Sequence, residues 1–156
     1  MKPRRRHALK KMRRLIPLLA LLLAVAPYAF LHPVWVEGSS MEPTLSHGEM
    51  RFVLRAWCAG KPHRGEIWVV RRPDGDCVVK RVVGEPWQRV QLQCGRVWIN
   101  GAYFKEPYLD DPGSSTGMWD TGTGYFVLGD NRGRSLDGRA WGPIARSAFD
   151  GKLISL

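Results

Sequence analysis

Hydrophobic and polar positions divide the chain into two unlike parts. Leu15 to Leu31 is a run of seventeen residues without a charged side chain. After it, few segments keep a helical period, and short stretches of alternating β-branched and polar residues recur between clusters of Gly, Pro and Asp. Alternation of that kind is the mark of half-buried strands. It predicts strands over Met50 to Leu54, Glu66 to Arg71, Cys77 to Val83, Arg89 to Gln93, Arg96 to Ile99 and Tyr125 to Leu128. Asn100-Gly101 predicts a type I′ hairpin turn from Trp98-Ile99 into Ala102-Tyr103-Phe104, because both central residues of that turn need positive φ. Glu106 to Gly124 is rich in Pro, Gly, Ser, Thr and Asp and is expected to be a long surface loop. The body is therefore expected to be mainly β and antiparallel, with no internal repeat and no low-complexity tract.

Charge changes the picture at one end only. The net charge is +10, yet eight of the 24 Lys and Arg lie in the first fourteen residues, which carry no Asp or Glu. The remainder has sixteen basic against fourteen acidic residues, which does not make a nucleic-acid surface. A basic segment followed by an apolar run is the pattern of a membrane anchor or a secretory signal. As a helix the run spans roughly 26 Å, enough to cross if Tyr28 and Trp35 lie near the far interface. Ala24-Val25-Ala26 has the small-x-small form of a cleavage site, but Pro27 follows it, and a proline there lacks the N–H and the freedom of φ that an extended substrate needs. A retained anchor is the favoured reading. The expected organisation is a cytoplasmic basic tail at 1–14, a transmembrane anchor at 15–32, and an extracytoplasmic domain at 33–156 on the outer side of the cytoplasmic membrane. All seven tryptophans follow the run, and some are expected in the core and a few at the membrane surface. Of the three cysteines, Cys77 and Cys94 would face each other if their two strands formed a hairpin, so a bridge between them is expected in an exported domain.

Three stretches carry candidate chemistry. Gly38-Ser-Ser-Met-Glu-Pro-Thr-Leu45 sets Ser40 on a tight turn between a glycine and a proline. Lys80 lies in a β-branched strand, on the face shared by Val78 and Val82. If that face is packed, burial disfavours the ammonium, and the neutral amine becomes available as a general base for a hydroxyl. Gly129 to Gly142 is dense in short polar side chains that can satisfy one another. Asp130, Asn131 and Asp137 are oxygen donors, but the spacing lacks a calcium-loop pattern and Arg132, Arg134 and Arg139 oppose a cation, so no metal and no cofactor are expected. His7, His32, His47 and His63 lack a nearby carboxylate signature, which disfavours a Ser-His-Asp triad.

Taken together, Ser40 to Leu45 (Ser-Met-x-Pro-Thr-Leu), Arg64 to Ile67 (Arg-Gly-Glu-Ile), Lys80 to Gly84 (Lys-Arg-Val-Val-Gly) and Gly129 to Arg139 (Gly-Asp-Asn-Arg-x-x-Ser-x-Asp-x-Arg) resemble the four ordered motifs of bacterial type I signal peptidases, the Ser-Lys leader peptidases. The resemblance covers nearly the whole chain. It implies a signal-peptidase-like antiparallel β domain with Ser40 as the acylated nucleophile and Lys80 as general base. Ser135 matches the serine that orients the lysine amine, and Asp130, Asp137 and Arg139 match the polar scaffold around the dyad. The oxyanion would be met by the Ser40 N–H, with either Ser39 or further backbone as second donor, because Gly38 stands where some members carry a serine hydroxyl. Gly138 likewise replaces a serine frequent in the family. The implied partners are exported preproteins with small residues at the first and third positions before the cut, and membrane lipid. Gly84 to Gly129 leaves no room for the large accessory β-domain of some members, so a minimal catalytic core is expected. A processing peptidase of the same clan dedicated to a conjugation or secretion apparatus, or a tethered binding domain without catalysis, are the alternatives.

Overall fold

The computed structural model describes residues 28–154 without interruption, together with 16, 17, 19–21 and 25. The expected tail at 1–14 lies outside the described residues, and the expected anchor at 15–32 lies only partly within them. Its described residues up to Phe30 are helical and exposed, and among the described residues no helix is long and apolar enough to cross a membrane.

Ten strands form two antiparallel sheets. The larger sheet holds β1 (Leu31–Trp35), β2 (Met50–Arg55), β3 (Ile67–Arg71), β4 (Cys77–Gly84), β9 (Phe126–Leu128) and β10 (Phe149–Leu153). Its order is β1-β2-β10-β3-β4-β9. The smaller sheet joins β5 (Arg89–Gln93), β6 (Arg96–Ile99), β7 (Ala102–Phe104) and β8 (Gly117–Asp120) in the order β7-β6-β5-β8. A short helix, α1 (Gly138–Trp141), follows β9. Every strand predicted from alternation is present within one residue at each end. The expected hairpin turn is also present, with positive φ at Asn100 (51°) and Gly101 (83°).

Three expectations are corrected. Leu31 and His32 open β1, paired with Leu54 and Val53, rather than ending an anchor helix. The stretch from Glu106 to Gly124 is not all surface loop: it contains β8, whose Met118 and Trp119 pair with Gln91 and Val90. Single-residue alternation hid this strand among turn formers. Cys77 and Cys94 are not bridged; they and Cys58 are free thiols. The physical reason lies in pairing, since β4 bonds to β3 and β9 while β5 bonds to β6 and β8, so Cys77 opens a strand of the larger sheet and Cys94 lies in the β5–β6 turn of the smaller one.

Packing explains why β4 runs nearly all apolar. It lies between β3 and β9 with clusters on both faces. Trp68, Val70, Val82, Tyr125, Val127 and Phe149 pack on one side. On the other, Val83, Phe126 and Leu128 meet Val90, Leu92, Val97 and Ile99 of the smaller sheet. The interval from Gly84 to Gly129 thus carries a second sheet that shares the body's core rather than forming a separate domain. The chain passes between sheets at Gly84, where an added Cβ would run into Val90 Cγ2 and lie 3.0 Å from Phe126 Cβ. Gly84→Ala is therefore expected to lower stability by about 1–3 kcal/mol through overpacking, measured by urea denaturation; an unchanged midpoint would show that the seam can yield.

Candidate active site

Ser40 stands on a turn pinned from beneath. Met41 and Leu45 are buried with Val36, Val53, Ile67 and Leu153. Leu45 N donates to Met41 O at 2.9 Å, which closes a single helical turn and leaves Ser40 half-buried at its rim. From the other side, Asn131 N donates to Ser40 O at 3.0 Å and ties this turn to the loop after β9. Ser40 N–H and the Ser39 hydroxyl make no hydrogen bond among the described residues. Gly38 N donates to His47 Nδ1 at 3.0 Å, and among the described residues no histidine bonds to Ser40.

Lys80 reaches the turn from β4. Its Nζ donates to Ser40 Oγ at 2.7 Å and to Val79 O at 3.0 Å, and the residue is 2% exposed. Burial pushes the amine down from 10.5 to about 8, against an upward pull from Asp137 and Asp130 and with a further push down from Arg72. A neutral amine within hydrogen-bond reach of a hydroxyl is able to take its proton.

The two nearby carboxylates are held by arginines. Asp130 is buried and accepts from Arg81 Nε at 2.9 Å, Arg81 Nη2 at 2.6 Å and Thr44 Oγ1 at 2.5 Å. Asp137 caps α1, accepting from Arg139 N at 3.2 Å, and also from Arg139 Nε at 2.8 Å and Gly129 N at 3.0 Å. Arg139 continues to Ser115 Oγ at 2.9 Å and to the carbonyls of Arg132 and Ser135 at 2.7 and 3.1 Å. Ser135 Oγ is shut from solvent and has no hydrogen-bond partner, so no bond joins it to Lys80. It packs on Gly129, where an added Cβ would run into Ser135 Oγ and lie 2.5 Å from Ser40 O.

Sequence reading singled out Ser40, Ser39, Lys80, Ser135, Asp130, Asp137 and Arg139, and missed the partners that hold them. Arg81 also donates to Gly65 O at 2.7 Å, which brings the Arg64 to Ile67 stretch into the same network. Its guanidinium lies 3.8 Å above the Tyr108 ring. Tyr108 Oη and Arg132 Nη2 both donate to Glu106 Oε1, at 2.6 and 2.5 Å. The one signal in the sequence was an arithmetic one, more arginines around the site than the two aspartates could balance. Among the described residues no group of three His, Cys, Asp or Glu side chains could hold a metal ion.

The arrangement of a serine, a buried amine and a cross-braced loop has known relatives. A family model described as signal peptidase, peptidase S26, matches residues 9–155. The chain belongs to the signal peptidase family, peptidase S26. It is 39% identical to signal peptidase I of Bacillus licheniformis, over 78% of this chain and 74% of the relative. Identity to signal peptidase I U of Bacillus subtilis is 36%, over 80% and 73%. A crystal structure of a signal peptidase I from Enterococcus faecalis V583 superposes with a TM-score of 0.54 at 29% identity, covering 60% of this chain and 97% of that one. This S26 member is accordingly an enzyme, a serine peptidase of the signal peptidase I type with that fold.

Burying Lys80 also has a stability consequence with a definite sign. Its folded value of about 8 lies below the ordinary 10.5, so the unfolded chain binds more protons between those values and stability rises with pH in that window. Below about 8 the folded state carries the whole penalty. A Lys80→Met variant is expected to be more stable than wild type at pH 7, by about 2–3 kcal/mol, with the gain shrinking towards pH 10.5, as read from denaturation midpoints across pH. A constant gain at all pH values would contradict an ammonium penalty.

Proposed function

We propose that this S26 peptidase removes N-terminal signal peptides from exported preproteins after a small-x-small sequence, with Ser40 as nucleophile and Lys80 as general base. The carrying observation is the 2.7 Å contact between Ser40 Oγ and a buried amine that no carboxylate bonds. The Lys80 lone pair takes the Ser40 proton as Oγ bonds to the scissile carbonyl carbon. The resulting oxyanion is met by the Ser40 N–H, with the Ser39 hydroxyl or a further backbone N–H as second donor. Collapse breaks the C–N bond, and the protonated lysine delivers its proton to the departing amine of the mature protein. Water then enters as the second nucleophile, Lys80 takes its proton, and that proton returns to Ser40 Oγ when the acyl bond breaks.

The remaining residues hold this pair. Asp137 and Arg139 brace the loop that carries Ser135, and Asp130 braces the Ser40 turn through Thr44. Ser135 Oγ, unpartnered and packed beside Gly129 near the Ser40 carbonyl, is available to bond the amine once substrate draws Ser40 Oγ away. An open cleft of about 610 Å³ lined by Glu42, Pro43, Ser46, Asp130 and Asn131 adjoins the turn and offers room for an extended chain.

A membrane setting is part of this proposal, with a single N-terminal anchor, a cytoplasmic N-terminus and the body outside. It is supported by the outward face of the β1–β2 hairpin. There Trp35 opposes Met50 and Pro33 opposes Phe52, all four exposed, and Phe30 meets exposed Trp57 in a tilted ring contact with centroids 5.3 Å apart. A contiguous apolar face of that kind is suited to the interface of a bilayer. Replacing Trp35 and Trp57 by serine in a protein lacking residues 1–30 is expected to reduce co-sedimentation with lipid vesicles at least threefold without lowering the melting temperature. Equal sedimentation would leave the face without a lipid role.

The chemistry is tested on an Ala-x-Ala preprotein. Ser40→Ala and Lys80→Ala are expected to abolish cleavage while the domain stays folded, and Lys80→Arg to fail as well, since a guanidinium stays protonated. Wild-type activity should rise with pH through about 8, because the neutral amine is the active form. Full activity in either alanine variant, or a flat profile from pH 6 to 10, would sink the dyad.

A further inference from the structure

Two buried arginines, Arg81 and Arg132, and the half-buried Arg139 surround the site with three carboxylates whose side chains are buried, matched one to one. Arg81 pairs with Asp130, Arg139 with Asp137 and Arg132 with Glu106. The first two carboxylates belong to the loop already described. Glu106 comes from elsewhere, the connection after β7, yet its side chain is 5% exposed and its partner's 1%. The pair is wired to the site on both sides. Arg132 donates from Nε to Gly129 O at 3.2 Å and from Nη1 to Gly95 O at 3.0 Å, and Gly129 is the residue on which Ser135 and the Ser40 carbonyl converge. Tyr108 bonds the same Glu106 oxygen and stacks under Arg81, the neighbour of Lys80.

We infer that Glu106 is a positioning residue of the peptidase site, the carboxylate that balances Arg132 and thereby fixes both the loop and the electrostatic field in which Lys80 works. The inference rests on the Ser-Lys reading above. The charged groups acting on the Lys80 amine are Asp137 and Asp130 of the loop and Arg72, just past the end of β3 and paired with Asp74 and Asp76. Behind them stand Arg81, Arg139 and the Arg132–Glu106 pair. With all three pairs intact, burial is the largest influence on the amine and outweighs the upward pull of Asp137 and Asp130. Removing the Glu106 charge leaves one buried positive charge without a partner, which disfavours a second positive charge on Lys80. Removing the Arg132 charge does the opposite.

The test is kcat/KM against pH on an Ala-x-Ala preprotein for the full chain in detergent, in wild type, Glu106→Gln, Arg132→Gln, the double variant and Lys80→Ala. Glu106→Gln is expected to move the rising limb to lower pH and Arg132→Gln to higher pH, each by about half a unit or more, the order expected of one unpaired charge in partly buried surroundings. The double variant should return the limb to its wild-type position while kcat/KM at the plateau falls roughly tenfold or more, because the loop has lost its anchor. A purely structural pair would lower activity in all three variants without this opposition of sign. The inference is overturned if neither single variant moves the limb, if both move it the same way, or if the double keeps wild-type kcat/KM. Where a single variant does not fold, the double decides, since it leaves no buried charge unpaired; a double that also fails to fold makes the pair a folding element and overturns the inference. Cleavage by Lys80→Ala with an unaltered limb would instead remove the Ser-Lys reading, so the two failures are told apart.

Discussion

The site depends on keeping an amine buried and free of carboxylate partners. An ammonium shut away from water is costly, and a protein normally relieves the cost by setting a carboxylate beside it. Here Asp130 and Asp137 are close enough to pull the Lys80 amine upward, yet each is bonded by an arginine and neither bonds Nζ. The choice of arginine matters physically. A guanidinium does not deprotonate in the range where lysine does, and its fork takes both oxygens of a carboxylate, as Arg81 does with Asp130. The carboxylates are therefore occupied at every working pH, and desolvation is left as the largest influence on Lys80.

That constraint shapes the fold around it. Lys80 is buried on a strand that lies between β3 and β9 and has apolar clusters on both faces. To bring a hydroxyl to the amine, the Ser40 turn must be held from outside the strand. Met41 and Leu45 fasten it to one core cluster, Asn131 N holds its carbonyl, and Thr44 bonds Asp130. The turn, the strand and the loop after β9 are thus braced against each other by groups that are nearly all buried. Rigid support of this kind keeps the Ser40 hydroxyl and the Lys80 amine within hydrogen-bond distance at little entropic cost.

Local patterning explains how far the sequence could be read. Strands two-sided in their burial, such as β4, and strands with clean alternation, such as β5 and β6, are visible because the period of two is written in Val, Leu and Ile. Asn100-Gly101 is visible because its backbone angles demand those residues. β8 is not, since Gly117-Met118-Trp119-Asp120 has one exposed apolar residue and sits among turn formers. The Cys77–Cys94 bridge failed for a related reason. Adjacency in sequence predicts a hairpin, but the Gly84 to Gln88 segment carries the chain from one sheet to another, and nothing in a single sequence separates a turn from a crossing. Ser40, Lys80 and the polar loop were legible as residue types suited to one chemistry. Their supports Thr44, Arg81, Glu106, Tyr108 and Arg132 were not, because ion pairs across 26 to 49 residues leave no local spacing to detect.

The same pairing bears on how the charge of the chain should be understood. A net +10 would ordinarily point to an anionic partner. Eight basic residues fall before residue 15, and in the described body three of the arginines nearest the site are held in ion pairs with buried carboxylates, Arg81 and Arg132 buried themselves and Arg139 half-buried. Others are spent on the surface in pairs such as Arg89 with Asp120 and Arg71 with Asp150. What the body presents outward instead, along β1 and β2, is aromatic and aliphatic. The arginines nearest the site are therefore accounted for by the carboxylates they hold, not by a polyanionic ligand.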